Sequence, residues 1–142
     1  MEYNVSTTKK EVQGLEIQQL LKKCGMGTYT PELHQKAFEN SYKIVQISTK
    51  DHTQLIGCGR VLSDGCYQAA VYDVAIDPDY QGTGLGRLIM ENLLEGMEQL
   101  NVMLYASPGK EAFYQKFDFR LGKTAMLKFV KADMMKENGL TN

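Results

Sequence analysis

The stretch Gln81-Gly82-Thr83-Gly84-Leu85-Gly86-Arg87 carries glycine at three alternate positions. Such a run permits positive φ and lets a ligand come close to the main chain. It opens a segment with helical period. The first amides of that helix have no intrahelical acceptor and point outward, with the positive end of the helix dipole behind them. A phosphate or pyrophosphate suits that place. Arg87, in the first turn, opposes the dipole unless an anion lies nearby. The glycines alone fit a flexible loop before an ordinary helix equally well. Two familiar phosphate loops do not fit. The Walker pattern G-x-x-x-x-G-K-[ST] does not occur in the chain. The dinucleotide fingerprint needs G-x-G-x-x-G directly after a strand and an acid closing the next strand. Here the spacing is G-x-G-x-G, Pro78 intervenes, and the next strand reads Val102-Met103-Leu104-Tyr105.

Other reactive side chains are sparse. Cys24, Cys58 and Cys66 are odd in number and show no CxxC spacing, which reads as free thiols in a reducing cytoplasm. Cys58 and Cys66 fall in apparent strands, where a buried thiol is the commoner case. Neither has a histidine close in sequence, so no cysteine nucleophile is expected. His34 and His52 are too few for a histidine metal centre and are expected at the surface; no metal is expected. With 16 basic and 17 acidic residues the net charge is −1, without the basic surplus of a nucleic-acid binder. No apolar run approaches the roughly 18 residues of a membrane span. MEYNVSTTKK at the start has no apolar stretch to act as a signal peptide. The expectation is a cytoplasmic protein with no nucleic-acid or membrane partner. Its 142 residues suit a single domain, 1–142, with residues 131–142 a frayed tail.

The elements that must position the glycine turn follow from periodicity. Residues 2–6 suit a short strand. From Lys9 to Cys24 an apolar stripe of Val12, Leu15, Ile17, Leu20 and Leu21 predicts a helix that Gly25 stops. Thr30-Pro31 reads as an N-cap and first helical residue, with Leu33, Ala37 and Phe38 facing inward. Residues 42–49, 54–62 and 66–76 read as three antiparallel strands, joined at Asp51-His52 and at Ser63-Asp64-Gly65. From Gly84 to Leu100 the helical stripe returns. Residues 102–105 predict a buried strand parallel to the one before the helix. Lys110–Phe117 is a short helix and Leu121–Val130 a last strand. The order β-α-α-β-β-β-α-β-α-β is an α+β fold: a mixed, mostly antiparallel sheet with helices on both faces.

The string Val74-x-Ile76-x-Pro78-x-Tyr80-Gln81-Gly82-x-Gly84-Leu85-Gly86 resembles the acetyl-CoA motif of the GNAT superfamily of N-acetyltransferases. Its Q/R-x-x-G-x-G/A signature is met by Gln81, Gly84 and Gly86. Ala112-Phe113-Tyr114-Gln115-Lys116-Phe117-Asp118-Phe119 resembles the superfamily's second landmark, F-Y-x-K-x-G-F. Asp118 stands where that landmark has glycine, and Asp tolerates the left-handed conformation better than most residues. The strings 57–67 and 73–86 are similar to bacterial members related to small-amine acetyltransferases.

The resemblance implies acetyl-CoA as cosubstrate. The backbones of Val74, Ala75 and Ile76 would pair with its pantetheine arm, with the Val74 amide on the thioester carbonyl. The amides of Gly82, Thr83, Gly84, Leu85, Gly86 and Arg87 would cradle the pyrophosphate, with Gln81 and Phe113 also in the cofactor site. Tyr114 matches the tyrosine that protonates the departing thiolate, and a phenol is protonated at neutral pH. Read as residues alone, Val74–Ile76 are a buried strand, which is compatible with the cofactor role, and Tyr114 is a core aromatic packed with Phe113 and Phe117; the F-Y-x-K match is what favours the acid. Asp73 is the first candidate for general base or for attracting a cationic amine; because alternation sets it opposite Val74, the alternative is a structural carboxylate. Tyr72 and Tyr105 fit either cleft lining or core. Residues 24–29 would be a lid over the acceptor or a plain connection.

The expected function is direct acetyl transfer from acetyl-CoA to a primary amine, of a small molecule, in a ternary complex. A protein acetyltransferase or a non-catalytic CoA-binding module of the same fold is the alternative. The last strand would also let a homodimer form by adding to a partner's sheet.

Overall fold

In the computed structural model, residues 2–142 are described. The elements run β1 (Tyr3–Ser6), α1 (Gly14–Lys23), α2 (Pro31–Glu39), β2 (Lys43–Thr49), β3 (Leu55–Ser63), β4 (Gln68–Ile76), α3 (Leu85–Leu94), β5 (Asn101–Met103), α4 (Glu111–Gln115) and α5 (Ala132–Glu137). Single 3-10 turns occupy Lys9–Glu11 and Pro78–Tyr80. The sheet order is β1-β2-β3-β4-β5, antiparallel as far as β4 and parallel between β4 and β5. This is the expected mixed α+β sheet. The chain folds as two compact units, one ending at Met103 and the other spanning Leu104–Asn142.

Helices cover both faces of the sheet in the first unit. On one face Ile17, Leu20 and Leu21 of α1 and Phe38 of α2 close over Ile44, Cys58 and Ala75. On the other, Ile89 and Leu93 of α3 lie against Gly57 and Gly59 of β3. Fully burying one such aliphatic or aromatic side chain is worth about 1.5–3 kcal/mol. α2 starts as the sequence predicts: Thr30 Oγ1 accepts the Leu33 amide and Pro31 takes the first helical position. Glycine ends α1 and α3, with Gly25 at φ 73° and Gly96 at φ 75°.

Several expectations fail, each for a visible reason. The predicted helix over 9–24 is split. Gln35 of α2 donates to the Val12 carbonyl and accepts the Gly14 amide, which holds Val12 and Gln13 extended between the 3-10 turn and α1. The inner face of α2 is His34 and Phe38, one helical turn apart, and Leu33 is exposed. β5 is no buried run: Asn101 and Met103 are exposed and only Val102 is half-buried. Residues 121–130 form no strand. The chain bends at Lys123 and Thr124, and Met126 and Val130 are exposed. High strand propensity makes no strand without a partner ladder. The tail contains α5, where a frayed end was expected.

Candidate functional site

The middle of β4 carries a bulge. Arg60 faces Tyr72 and Cys58 faces Ala75, so Gly59 alone stands opposite both Asp73 and Val74. Asp73 adopts φ 56°, a left-handed conformation that Asp tolerates better than most residues. The bulge interrupts the alternation assumed for this strand. The Asp73 carboxylate accepts Arg60 Nε at 2.7 Å, and both side chains are mostly buried. The Arg60 guanidinium lies 5.8 Å from the Phe38 ring centre and 5.5 Å from that of Tyr72. Tyr72 and Asp73 thus sit toward α2. The Val74 side chain reaches the space beside Gly59, on the α3 side.

Beyond the bulge, Ala75 and Ile76 stay paired with β3. On the other edge the β5 ladder covers only Gln68–Ala70, so Val74, Ala75 and Ile76 lie past its end. A main-chain edge of this kind is what an extended ligand needs in order to pair with a strand.

The strand then delivers the chain into the glycine turn. Asp77 is almost fully buried and builds the 3-10 turn, its Oδ1 accepting the Asp79 amide at 2.9 Å. Gln81 follows, donating to the Ile76 carbonyl. Gly82 and Gly84 take φ 78° and 85°, and a Cβ at either would meet nothing within 4 Å. Gly84 is the N-cap of α3 and supplies no side chain to it. The first intrahelical bond is Leu88 amide to Gly84 carbonyl, so the amides of Leu85, Gly86 and Arg87 stand before it. Leu85 and Gly86 are buried and hold the turn to the core, while Gln81–Gly84 are exposed. Arg87 is exposed and paired with Glu91 Oε1 at 2.7 Å. The residues present fit a pyrophosphate: open space, uncapped amides and the positive end of a ten-residue helix.

In the second unit, α4 carries Phe113 and Tyr114. The two rings lie 5.0 Å apart, Phe117 packs on Phe113 at 5.4 Å, and Phe119 lies 6.2 Å from Tyr114. Asp118 adopts φ 68°, the left-handed conformation expected where the landmark has glycine. Burial pushes the Tyr114 phenol above its ordinary value of 10. Tyr105 stacks edge-on with Phe129 at 5.3 Å.

A family model described as an acetyltransferase (GNAT) domain matches residues 43–121. The chain belongs to the GNAT acetyltransferase family. The match spans the bulge, the glycine turn and Tyr114. An uncharacterized N-acetyltransferase, ycf52, of Pyropia yezoensis is 31% identical over 118 residues, covering 80% of this chain and 68% of that protein. A ycf52-like N-acetyltransferase of Prochlorococcus marinus is 37% identical over 106 residues, covering 71% of this chain and 59% of that protein. The chain therefore spans about two thirds or less of the length of these relatives. Among solved structures, a probable acetyltransferase of unknown function from meticillin-resistant Staphylococcus aureus superposes with a TM-score of 0.81 at 28% identity, over 92% of this chain and 99% of that one.

In this GNAT domain the structure brings Asp73, Val74–Ile76 and the glycine turn into one continuous segment. It also supplies residues the sequence reading missed. Arg60 is a lone charge inside the apolar strand LIGCGRVLS, a signal that could have been read. His34 was expected at the surface and is buried; its Nε2 accepts the Tyr29 amide at 3.0 Å. Burial lowers the His34 pKa, with the Arg60 charge acting in the same sense and Asp73 against it. Cys58 is buried as expected, with Sγ 3.2 Å from the Asp73 carbonyl. Cys66 lies in the turn before β4 and is exposed, contrary to expectation. Among the described residues no group of three or more His, Cys, Asp or Glu has a metal-binding arrangement, and no helix is long and apolar enough to cross a membrane.

Proposed function

We propose that the protein is an acetyl-CoA-dependent N-acetyltransferase that acetylates a primary amine of a small molecule by direct attack in a ternary complex. The observation that carries this reading is the end of β4. A strand edge past the β5 ladder runs straight into a turn with two left-handed glycines, open space and an uncapped helix. The edge suits an amide-bearing arm and the turn suits a pyrophosphate, in the order in which CoA presents them. The small-molecule class rests on the likeness of residues 57–67 and 73–86 to small-amine enzymes. Three free thiols among the described residues suit a reducing compartment such as the cytoplasm.

The amine nitrogen, once deprotonated, attacks the thioester carbon. The carbonyl oxygen gains charge, and the Val74 amide is the donor assigned to it. The carbon–sulfur bond then breaks and the thiolate takes a proton. Tyr114 is assigned as that acid, on the F-Y-x-K match and on a phenol that burial keeps protonated. Asp73 has one carboxylate oxygen committed to Arg60. That bond ties the side chain to β3, so we assign Asp73 to holding the bulge and attracting a cationic amine. The ammonium gives one proton to water before attack; the second N–H proton, lost as the adduct collapses, passes through solvent and restores the Tyr114 hydroxyl.

The test is calorimetric titration with acetyl-CoA, with NAD and ATP as controls, followed by thiol release against small amines and a lysine peptide. Binding of acetyl-CoA alone, with turnover on small amines, is expected. Turnover only on the peptide would move the enzyme to the protein-acetylating class. Binding without turnover on any amine would leave a CoA-binding module. No acetyl-CoA binding would remove the reading altogether.

A further inference from the structure

Asp77 presents an unusual burial. Its carboxylate is 1% exposed, yet it belongs to the turn that leads into the exposed glycine loop. A buried carboxylate is costly unless it is bonded on every side. Here Oδ1 accepts the Asp79 amide at 2.9 Å, and Oδ2 accepts Lys23 Nζ at 2.8 Å and Gln54 Nε2 at 3.1 Å. Burial pushes this carboxyl up, and the three donors together hold it below its ordinary value. They come from three places: the 3-10 turn itself, the last turn of α1, and the segment between β2 and β3.

The next residues repeat the link. Cys24 Sγ donates to the Ile76 carbonyl at 3.1 Å, the same carbonyl that receives Gln81 Nε2. Residues 23 and 24 are thus fastened to residues 77 and 76. Immediately afterwards comes the loop 25–30. It pivots at Gly25, φ 73°, and is fixed at its far end where His34 accepts the Tyr29 amide and Gln18 donates to the Tyr29 carbonyl. One clamp therefore roots two largely exposed segments: the loop between α1 and α2, and the glycine turn.

We propose that Lys23 and Asp77 are positioning residues that couple the loop 25–30 to the glycine turn, so that occupancy of the turn orders the loop. The inference rests on the reading of that turn as the CoA pyrophosphate site. Neither residue touches the reacting atoms in this account. Lys23 is half exposed, so its replacement opens no core.

The experiment uses CoA as its probe and needs no knowledge of the acceptor amine. Hydrogen exchange is followed by mass spectrometry in peptides covering residues 25–30, with and without saturating CoA. In the unmodified protein CoA is expected to slow exchange there about five-fold or more, the lower end of ordinary site-to-site coupling. Lys23→Met is expected to abolish that slowing while CoA still saturates the turn, with affinity about five-fold weaker by the reciprocal linkage. Lys23→Arg is expected to restore it. Cys24→Ala, which changes no charge, is expected to weaken the same protection and stands in if Lys23→Met melts early. Equal protection in the unmodified protein and Lys23→Met would overturn the proposal, because CoA would then touch the loop directly. CoA binding with no protection of the loop would also overturn it. Absence of CoA binding would remove the function reading itself, and this inference with it.

Discussion

In the proposed mechanism, Tyr114 is where chemistry separates from binding. Its hydroxyl is assigned to the departing thiolate, whereas its ring packs on Phe113 and Phe119. Tyr114→Phe keeps the ring and deletes only the proton. We expect kcat to fall about 10²- to 10⁴-fold, the usual worth of a positioned acid, with the calorimetric CoA affinity unchanged; equal kcat in the variant would remove Tyr114 from the chemistry. Because burial raises the phenol, it stays protonated to higher pH than a free tyrosine, so the alkaline loss of activity it causes should have its midpoint above that of a free tyrosine. His34 makes a second prediction at this scale. As an acceptor of the Tyr29 amide it is neutral, and burial lowers its pKa from 6.5. The unfolded chain therefore binds this proton first as pH falls. The stability contribution is complete above about pH 6.5 and is lost in more acid solution, with a slope of at most about 1.4 kcal/mol per pH unit. Urea midpoints should drop between pH 7.5 and 5.5, and drop less in His34→Gln. Glycines and a tyrosine in a spaced motif were legible in the sequence. The buried role of His34 was not, because it depends on which face α2 turns inward, and the sequence offered Leu33 as the more apolar choice.

At the scale of elements, the seat of α3 is set by what β3 lacks. A Cβ at Gly59 would lie 2.8 Å from Leu93 Cδ1 and 3.0 Å from Ile89 Cγ2, with Val74 Cγ2 at 3.5 Å. Gly59 also faces the two residues of the bulge. Gly59→Ala should push α3 off the sheet, cost about 1–3 kcal/mol as overpacking does, and shift the glycine turn that α3 carries. Denaturant unfolding checks the first effect and CoA titration the second. A stability loss with unchanged CoA affinity would show that the turn holds its geometry independently of the α3 seat. Gly82→Ala asks a different question, since its Cβ meets open space and only φ 78° is strained. The strain is about 1–2 kcal/mol, so the fold should survive while CoA affinity falls. Most elements up to β5 were legible, because period and turn residues agree there: β1, α2 and the β2–β3–β4 meander lie close to where the pattern put them. What failed needed tertiary information. The bulge at Asp73 is a register event between two strands and has no mark in either one alone. The break at Val12–Gln13 is made by Gln35, more than twenty residues away. Residues 121–130 have the composition of a strand and no ladder to join.

At the scale of the whole molecule, the net charge of −1 gives no long-range pull on a polyanion. Arg87, the one cation in the glycine turn, is already paired with Glu91. In the proposed function, affinity for CoA comes from main-chain groups: the uncapped start of α3 and the edge of Val74–Ile76. This makes a prediction about selectivity. NAD and ATP bring phosphates to the same helix end, but neither has an amide-bearing arm to pair with the strand edge. A ligand at a hundred times its dissociation constant stabilises the folded state by about 2.7 kcal/mol, which for a chain of this length raises Tm by about 5–10 °C. Thermal unfolding with CoA should show that shift, and matched concentrations of NAD and ATP should show almost none. Raising the salt should reduce the CoA shift only slightly, since dipoles and amides contribute most of the attraction. Equal shifts from all three ligands would mean that the turn takes any phosphate and that the β4 edge contributes nothing, and the assignment of Val74, Ala75 and Ile76 to the pantetheine arm would then fall while the phosphate role of Gly82–Arg87 stood.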